Sequence, residues 1–273
     1  MIDVSWEVIM LSHSRRPFAF TIVELLVVCS LITLLISMLL PNLSAGRDNA
    51  RLAKCLSNQR ELTIATSNYV TEKFYYPVGI DHHADNSQRI WLWPTQLRMY
   101  TDGNQDLFMC PKAPESTRWV YKEALGEPAF YGYKPNEMRI RGYSHKFSYG
   151  YNVWGAFMAQ VPNTGLGVYR NDPDRDATKA ERVRNPSNMI AFADSNINDY
   201  WSGYIGPYRG PGQWPARAHL GKSAVAFCDN SARTMERADL VEAHRAEVNI
   251  RWNNDARVHP GAVSNDGVPD YVP

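Results

Sequence analysis

RRPFAFTIVELLVVCSLITLLISMLLP, from Arg15 to Pro41, decides how the rest of the chain is read. Phe20 to Leu40 is a continuous apolar run, and at about 1.5 Å of helical rise per residue it spans roughly 30 Å, the thickness of a bilayer's hydrocarbon core. A secretory signal peptide would have a shorter apolar region, of about 7 to 15 residues, ending at a small-residue cleavage site. The run here is longer, although Leu43-Ser44-Ala45 after it resembles such a site. One membrane crossing is therefore expected. Arg15 and Arg16 precede the run, and basic residues stay on the cytoplasmic side, so everything after Pro41 should lie outside that membrane.

Glu24 interrupts this apolar run near its start. A carboxylate inside a bilayer costs about 2.5–3.5 kcal/mol on insertion scales, so it is normally kept for a partner. Cutting the chain between Ala19 and Phe20 would create an α-amino group four residues before Glu24. The amine of a neighbouring copy could then neutralise the carboxylate as helices pack side by side.

Arg15, Arg16, Ala19, Phe20, Thr21, Glu24, the apolar helix and Pro41 together resemble type IV pilins and the pseudopilins of type II secretion. The resemblance implies that a prepilin peptidase cuts between Ala19 and Phe20 and methylates the new amine of Phe20, and that Glu24 serves assembly. Ala19 stands where the family has Gly, and it too is small. Residues 1–19 would be the leader, with the start at Met1 or at Met10, and no fold is assigned to them. The partners implied are the prepilin peptidase, other pseudopilins or further copies of this chain, and the inner membrane, with the globular part periplasmic or extracellular.

Beyond Pro41, Leu52, Cys55, Leu56, Leu62, Thr66, Tyr69 and Val70 recur at mostly helical spacing, which predicts one amphipathic helix packed on a domain. Residues 20–76 should form a single rod, bent near Pro41, which lacks a backbone N–H. From 77 to 258 short apolar stretches such as FSYGYNVWGAF, NMIAFAD and SAVAFCD alternate with Gly, Pro, Asn and Asp, the pattern of antiparallel strands with long loops. WPTQLRMY reads as a short helical turn and DHHADN as an exposed loop. Residues 259–273 have little to bury and read as a flexible tail. The fold class is thus α+β: a long N-terminal helix, half membrane-spanning, on a small antiparallel sheet.

CLSNQRELTIATSNYV, LFMCPKA, FSYGYN, PSNMIAFADS, HLGKSAVAFCDNSARTM and RWNNDARVH, in that order, are similar to a pseudopilin-like family with a prepilin-type N-terminus and a C-terminal His, nine residues, Asp, Gly motif. His219 and Asp229 match it, and Asn230 replaces the Gly as a residue that tolerates a left-handed turn. His219, Asp229 and Asn230 are read as structural, with His219 hydrogen-bonded beneath a hairpin turn shaped by the other two. Major pseudopilins carry calcium in C-terminal loops, which makes calcium at Asp194 and Asp229 the alternative, though calcium needs about six to eight oxygens. No cofactor is otherwise expected.

A net charge of +1 gives no electrostatic reason to propose nucleic acid as a partner. The chain's 8 Trp and 15 Tyr, with Trp91, Trp93, Trp201 and Trp214 in loop-like contexts, raise an anchored polysaccharide-binding protein as the second function class. An anchored enzyme is the third, with no phosphate loop, nucleophile elbow or paired metal-binding His motif to support it. Of the 4 cysteines, Cys29 lies in the membrane helix and should stay free. Outside the membrane, a Cys55–Cys110 disulfide would close about 55 residues and stabilise by up to about 4 kcal/mol in the chain-entropy model. Three unpaired buried thiols are the alternative.

Overall fold

The computed structural model describes residues 21–82, 90–114, 147–154, 164–167, 177–195, 203–207, 214–242 and 245–259. The leader, Ala19 and Phe20, Arg15 and Arg16, Trp201 and residues 260–273 lie outside them. The chain falls into two units, 1–46 and 47–273.

In the first unit the helix α1 (Ile22–Lys73, 52 residues) begins at a capping box. Thr21 donates its backbone N–H and its hydroxyl to Glu24 Oε2, each at 2.9 Å, and its Oγ1 accepts the Glu24 N–H at 3.2 Å. This reciprocal pairing satisfies donors that a helix start leaves open. It uses one carboxylate oxygen; Oε1 has no hydrogen bond among the described residues. The large apolar side chains that follow, Leu25, Leu26, Leu34, Leu35, Leu39 and Leu40 among them, are exposed. The hydroxyls of Ser30, Thr33 and Ser37 turn back to the carbonyls of Val27, Cys29 and Leu34, so these polar groups are satisfied within the helix itself, as lipid requires. This segment is long and apolar enough to cross a membrane. The helix continues through Pro41.

In the second unit α1 turns amphipathic. Cys55, Asn58, Gln59, Leu62, Thr63, Thr66 and Tyr69 are buried, spaced three and four apart on one face. Leu52, Leu56 and Val70 pack against the same core from the edge of that face. The helix stops at Lys73 rather than at residue 76, because Phe74 adopts a left-handed φ of 66° while its N–H caps the Val70 carbonyl at 2.8 Å.

Two strands, β1 (Ile80–His82) and β2 (Ile90–Leu92), pair as an antiparallel ribbon, so Asp81 and His82 of the expected loop are in a strand. Then come α2 (Trp93–Leu97) and two 3₁₀ turns, Arg98–Tyr100 and Gln105–Phe108. The main sheet contains β3 (Tyr149–Asn152), β4 (Ile190–Asp194), β5 (Tyr204–Ile205), β6 (Ser223–Phe227) and β7 (Ala232–Met235), in the order β5-β3-β4-β6-β7. All neighbours are antiparallel except β5, which pairs with β3 in parallel, a departure from the all-antiparallel expectation. Two short helices, α3 (Ala238–Val241) and α4 (Ala246–Asn249), follow.

The sheet is buried on both faces. The face toward α1 carries Tyr149, Tyr151, Phe192, Ala224 and Ala226. The opposite face carries Ile190, Ala193, Val225 and Phe227 against Leu240 and Trp252. A register shift between Ile190 and Phe192 on β4 breaks simple alternation, so Ile190 faces away from α1 while Phe192, two residues on, faces it. Asp194, in phase with Phe192, meets α1 as well.

The β6–β7 hairpin turns at Cys228–Ser231, where Asn230 takes φ 68°. Asp229 Oδ1 accepts from the N–H and hydroxyl of Ser231 at 3.0 and 2.6 Å. Ser67 on α1 donates to Asn230 Oδ1 at 2.9 Å, tying this turn to the helix. At the C-terminal side, His259 contacts Asp255 at 3.0 Å and its N–H donates to Asn249, so the expected flexible tail begins no earlier than residue 260.

Candidate functional site: a buried cluster of two cysteines, an aspartate and a histidine

Cys55, Cys110, Asp194 and His219 place one ligand-capable atom each within 4.8 Å of one another, and all four are buried. They come from four parts of the chain. Cys55 lies at the start of the buried face of α1. Cys110 follows the turn Gln105–Phe108 and is held from two sides: Asn58 donates to the Met109 carbonyl at 3.0 Å, and the Cys110 N–H donates to Ser148 Oγ at 2.8 Å. Asp194 ends β4, where Ala224 N–H of β6 donates to its Oδ2 at 2.7 Å.

His219 is set by a tight turn just before β6. His219 and Lys222 exchange both backbone hydrogen bonds, at 3.0 and 2.9 Å, around Leu220 and Gly221 with φ of 52° and 85°. Two positive φ values are the signature of a type I′ turn, which suits Gly at the second position and strains Leu at the first.

Within the cluster, Cys55 Sγ donates to Asp194 Oδ1 at 3.2 Å, and Cys110 Sγ lies 3.3 Å from His219 Nε2. The same His219 Nε2 is 3.6 Å from Asp194 Oδ2. Around it, the Tyr149 hydroxyl donates to Cys55 Sγ at 3.4 Å, and Gln59 donates to Asp194 Oδ1 at 3.4 Å and to the Ala224 carbonyl at 3.2 Å.

Burial dominates the electrostatics. It pushes the Cys55 thiol and the Tyr149 phenol far up, and Asp194 up to about 7. Cys110 goes the other way, to about 5, because Cys55 hydrogen-bonds to it and His219 faces it. For His219 burial opposes the charged form, but the Cys110 and Asp194 partners outweigh it and the pKa rises.

A cleft of about 400 Å³ opens beside the cluster, lined by Cys110, Asp194, Ser148, Lys112 and Arg217 among others. Lys112 is paired with Asp48 at 3.0 Å.

Three sequence expectations change. Cys55 and Cys110 do come together, but as free thiols in hydrogen-bonding contact, with Cys55 also donating to Asp194 and Cys110 also facing His219. His219 is not beneath the Asp229–Asn230 turn: it precedes β6, and that turn follows it. For the same reason Asp194 and Asp229 cannot share a calcium. Ile190 pairs with Phe227, two residues before Asp229, whereas Asp194 lies beside Ala224, four residues along β4 and so roughly 13 Å from Ile190 at about 3.3 Å per residue. The sulfur and imidazole donors beside Asp194 are also poor calcium ligands.

Trp93 is no exposed platform for a sugar. It is 1% exposed, stacks on Tyr151, meets the Phe192 ring at a tilt and donates its indole N–H to the Gly203 carbonyl at 2.9 Å. Trp214 is half-buried, and the side chain of Trp91 lies outside the described residues. Nor is the cluster a nucleophilic triad. An orienting carboxylate must hold the imidazole nitrogen remote from the nucleophile. Here Asp194 and Cys110 crowd the same Nε2, and Nδ1 is buried with no partner among the described residues.

Comparison with protein-family models, with characterised proteins and with solved structures finds no match.

Proposed function

We propose that this chain is a pilin-like structural subunit, a pseudopilin of a type II secretion or type IV pilus-like filament, anchored in the inner membrane and processed by a prepilin peptidase. The observation that carries the reading is that one helix, Ile22–Lys73, supplies both the exposed apolar segment headed by Glu24 and the face on which the outer sheet is built. A simple anchor needs only apolar length. It does not need a carboxylate at its start, nor continuity with the domain's own core helix. Pilin-type assembly uses both: helices bundle through their apolar halves, and each carries its globular domain with it.

The remaining free oxygen of Glu24 supports the same reading, because it leaves an acceptor for the α-amine of Phe20 on an adjacent copy. Mass spectrometry of the membrane-extracted protein tests the reading. A mature chain starting at N-methylated Phe20 is expected, and one that retains Arg15 and Arg16, or starts after Pro41, overturns it.

A further inference from the structure

We infer that Cys55, Cys110, Asp194 and His219 form a structural zinc site. The donor set comes first. Two sulfurs, an imidazole nitrogen and a carboxylate oxygen, four in all, match what tetrahedral zinc takes, and a site filled by four protein ligands is structural rather than catalytic. The spacing agrees. Zn–S of about 2.3 Å and Zn–N or Zn–O of about 2.0–2.1 Å imply ligand–ligand edges of roughly 3.3–3.8 Å. Cys110 Sγ to His219 Nε2 measures 3.3 Å, Asp194 reaches Cys55 Sγ through Oδ1 at 3.2 Å and His219 Nε2 through Oδ2 at 3.6 Å, and with one donor atom taken from each residue no pair of the four exceeds 4.8 Å.

Burial is the second observation. Four ionisable groups aimed at one point and excluded from water are costly unless a cation joins them. Lys112 reaches Cys110 through its backbone N–H, while its ammonium is paired with Asp48. Zinc would bind as two thiolates, one carboxylate and one neutral imidazole, releasing to solvent one proton from the Cys55 thiol and one from the Cys110–His219 pair, and the cleft beside Cys110 and Asp194 gives the ion a route in.

Two of the four ligands, Cys55 and Asp194, have the hydrogen-bonding partners that a metal site uses around its ligands, while His219 Nδ1 has none among the described residues. Tyr149 O–H donates to the Cys55 sulfur, while Gln59 and the Ala224 N–H fix Asp194. The consequence is architectural: the ion would clip α1, the Cys110 loop, β4 and the start of β6 to each other, four segments joined by no disulfide.

The test uses the full-length chain in mild detergent. Elemental analysis should find about one zinc per chain. Stripping it with a chelator should lower the melting temperature and make Cys55 and Cys110 alkylatable. Cobalt(II) added to the stripped protein should give the intense visible bands of a tetrahedral site and a near-ultraviolet thiolate charge-transfer band. His219→Gln and Asp194→Asn should each weaken zinc binding at least tenfold, in the range of lost metal-site interactions. If those variants fail to fold, the cobalt spectrum of the unsubstituted chain decides. A Cys55–Cys110 linked peptide in unreduced protein overturns the inference. So does a stripped, folded chain whose spectrum and melting temperature do not respond to added cobalt or zinc.

Discussion

Gln59 donates its side-chain amide to Asp194 Oδ1 at 3.4 Å, joining residues 135 positions apart in sequence, and the same amide reaches the Ala224 carbonyl at 3.2 Å. One buried side chain thus locks α1 to β4 and β6. Gln59→Leu keeps the volume and removes both donations, leaving buried acceptors underserved at about 1–3 kcal/mol. The lower end applies, because Gln59 Oε1 is itself buried without a partner among the described residues and disappears too. Urea unfolding of the globular unit should show this loss. A change below about 0.5 kcal/mol, the scale of ordinary surface substitutions, would mean that the helix–sheet packing does not depend on the contact.

Backbone contact makes a second prediction. A Cβ on Gly165 would stand 2.6 Å from Trp154 N and 2.8 Å from Trp154 O, both main-chain atoms that a rotamer change cannot move. Gly165→Ala should therefore cost about 1–3 kcal/mol, the range for overpacking. Gly46, inside α1 with nothing within 4 Å, is the control: Gly46→Ala should stabilise the helix by up to about 1 kcal/mol. Thermal melts of the two variants should shift in opposite directions, and a neutral Gly165→Ala would place that loop elsewhere.

The helix and the sheet were legible for a simple reason. Periodicity reports burial, and the buried stripe of α1 and the strands FSYGYN, IAFAD and SAVAF each bury what their pattern says. The candidate site was half legible. Cys55 with Cys110 stood out as a candidate bridge, Asp194 with Asp229 as a calcium alternative, and His219 as a structural residue of the Asp229–Asn230 turn. That Cys55, Cys110, Asp194 and His219 are one cluster depends on the β4 register shift, which brings Phe192 and Asp194 round to α1, and on the left-handed turn at Leu220–Gly221, which places His219. Neither leaves a periodic signal. The buried amides of Asn58 and Gln59 were missed too, because a hydropathy stripe skips polar residues whose partners are backbone carbonyls of distant segments.

Alkaline pH should weaken the globular unit through Cys228. Burial pushes this thiol up to about 12 from its ordinary 9.0, and the neighbouring Tyr76 hydroxyl is raised as well. A folded-state pKa above the unfolded one means that the unfolded chain binds fewer protons once pH exceeds about 9, so stability falls as pH rises. The contribution is complete below pH 9 and is lost progressively toward pH 12. Urea midpoints at pH 8, 9.5 and 11 should decline less steeply in Cys228→Ala than in the unsubstituted protein. Equal slopes would show that the thiol titrates alike in both states.

Glu24 has two roles that one substitution can separate. Its local role is the capping box with Thr21, in which a glutamine side-chain carbonyl serves as well as a carboxylate. Its proposed role is a charge pairing with the amine of a neighbouring copy, which needs the negative charge. Glu24→Gln should therefore leave the helix content and the outer domain unchanged by circular dichroism. It should lower side-by-side association in the membrane at least tenfold, because losing one member of a desolvated ion pair costs about 3–5 kcal/mol. Cys29, exposed on the same helix and the one cysteine outside the globular core, offers the readout: oxidative crosslinking between copies in isolated membranes. Glu24→Ala should lose association and also fray the first turn, whereas Thr21→Val should fray the turn and keep association. Crosslinking of Glu24→Gln at the unsubstituted level would reduce the carboxylate to a helix cap and remove the strongest support for assembly through this segment.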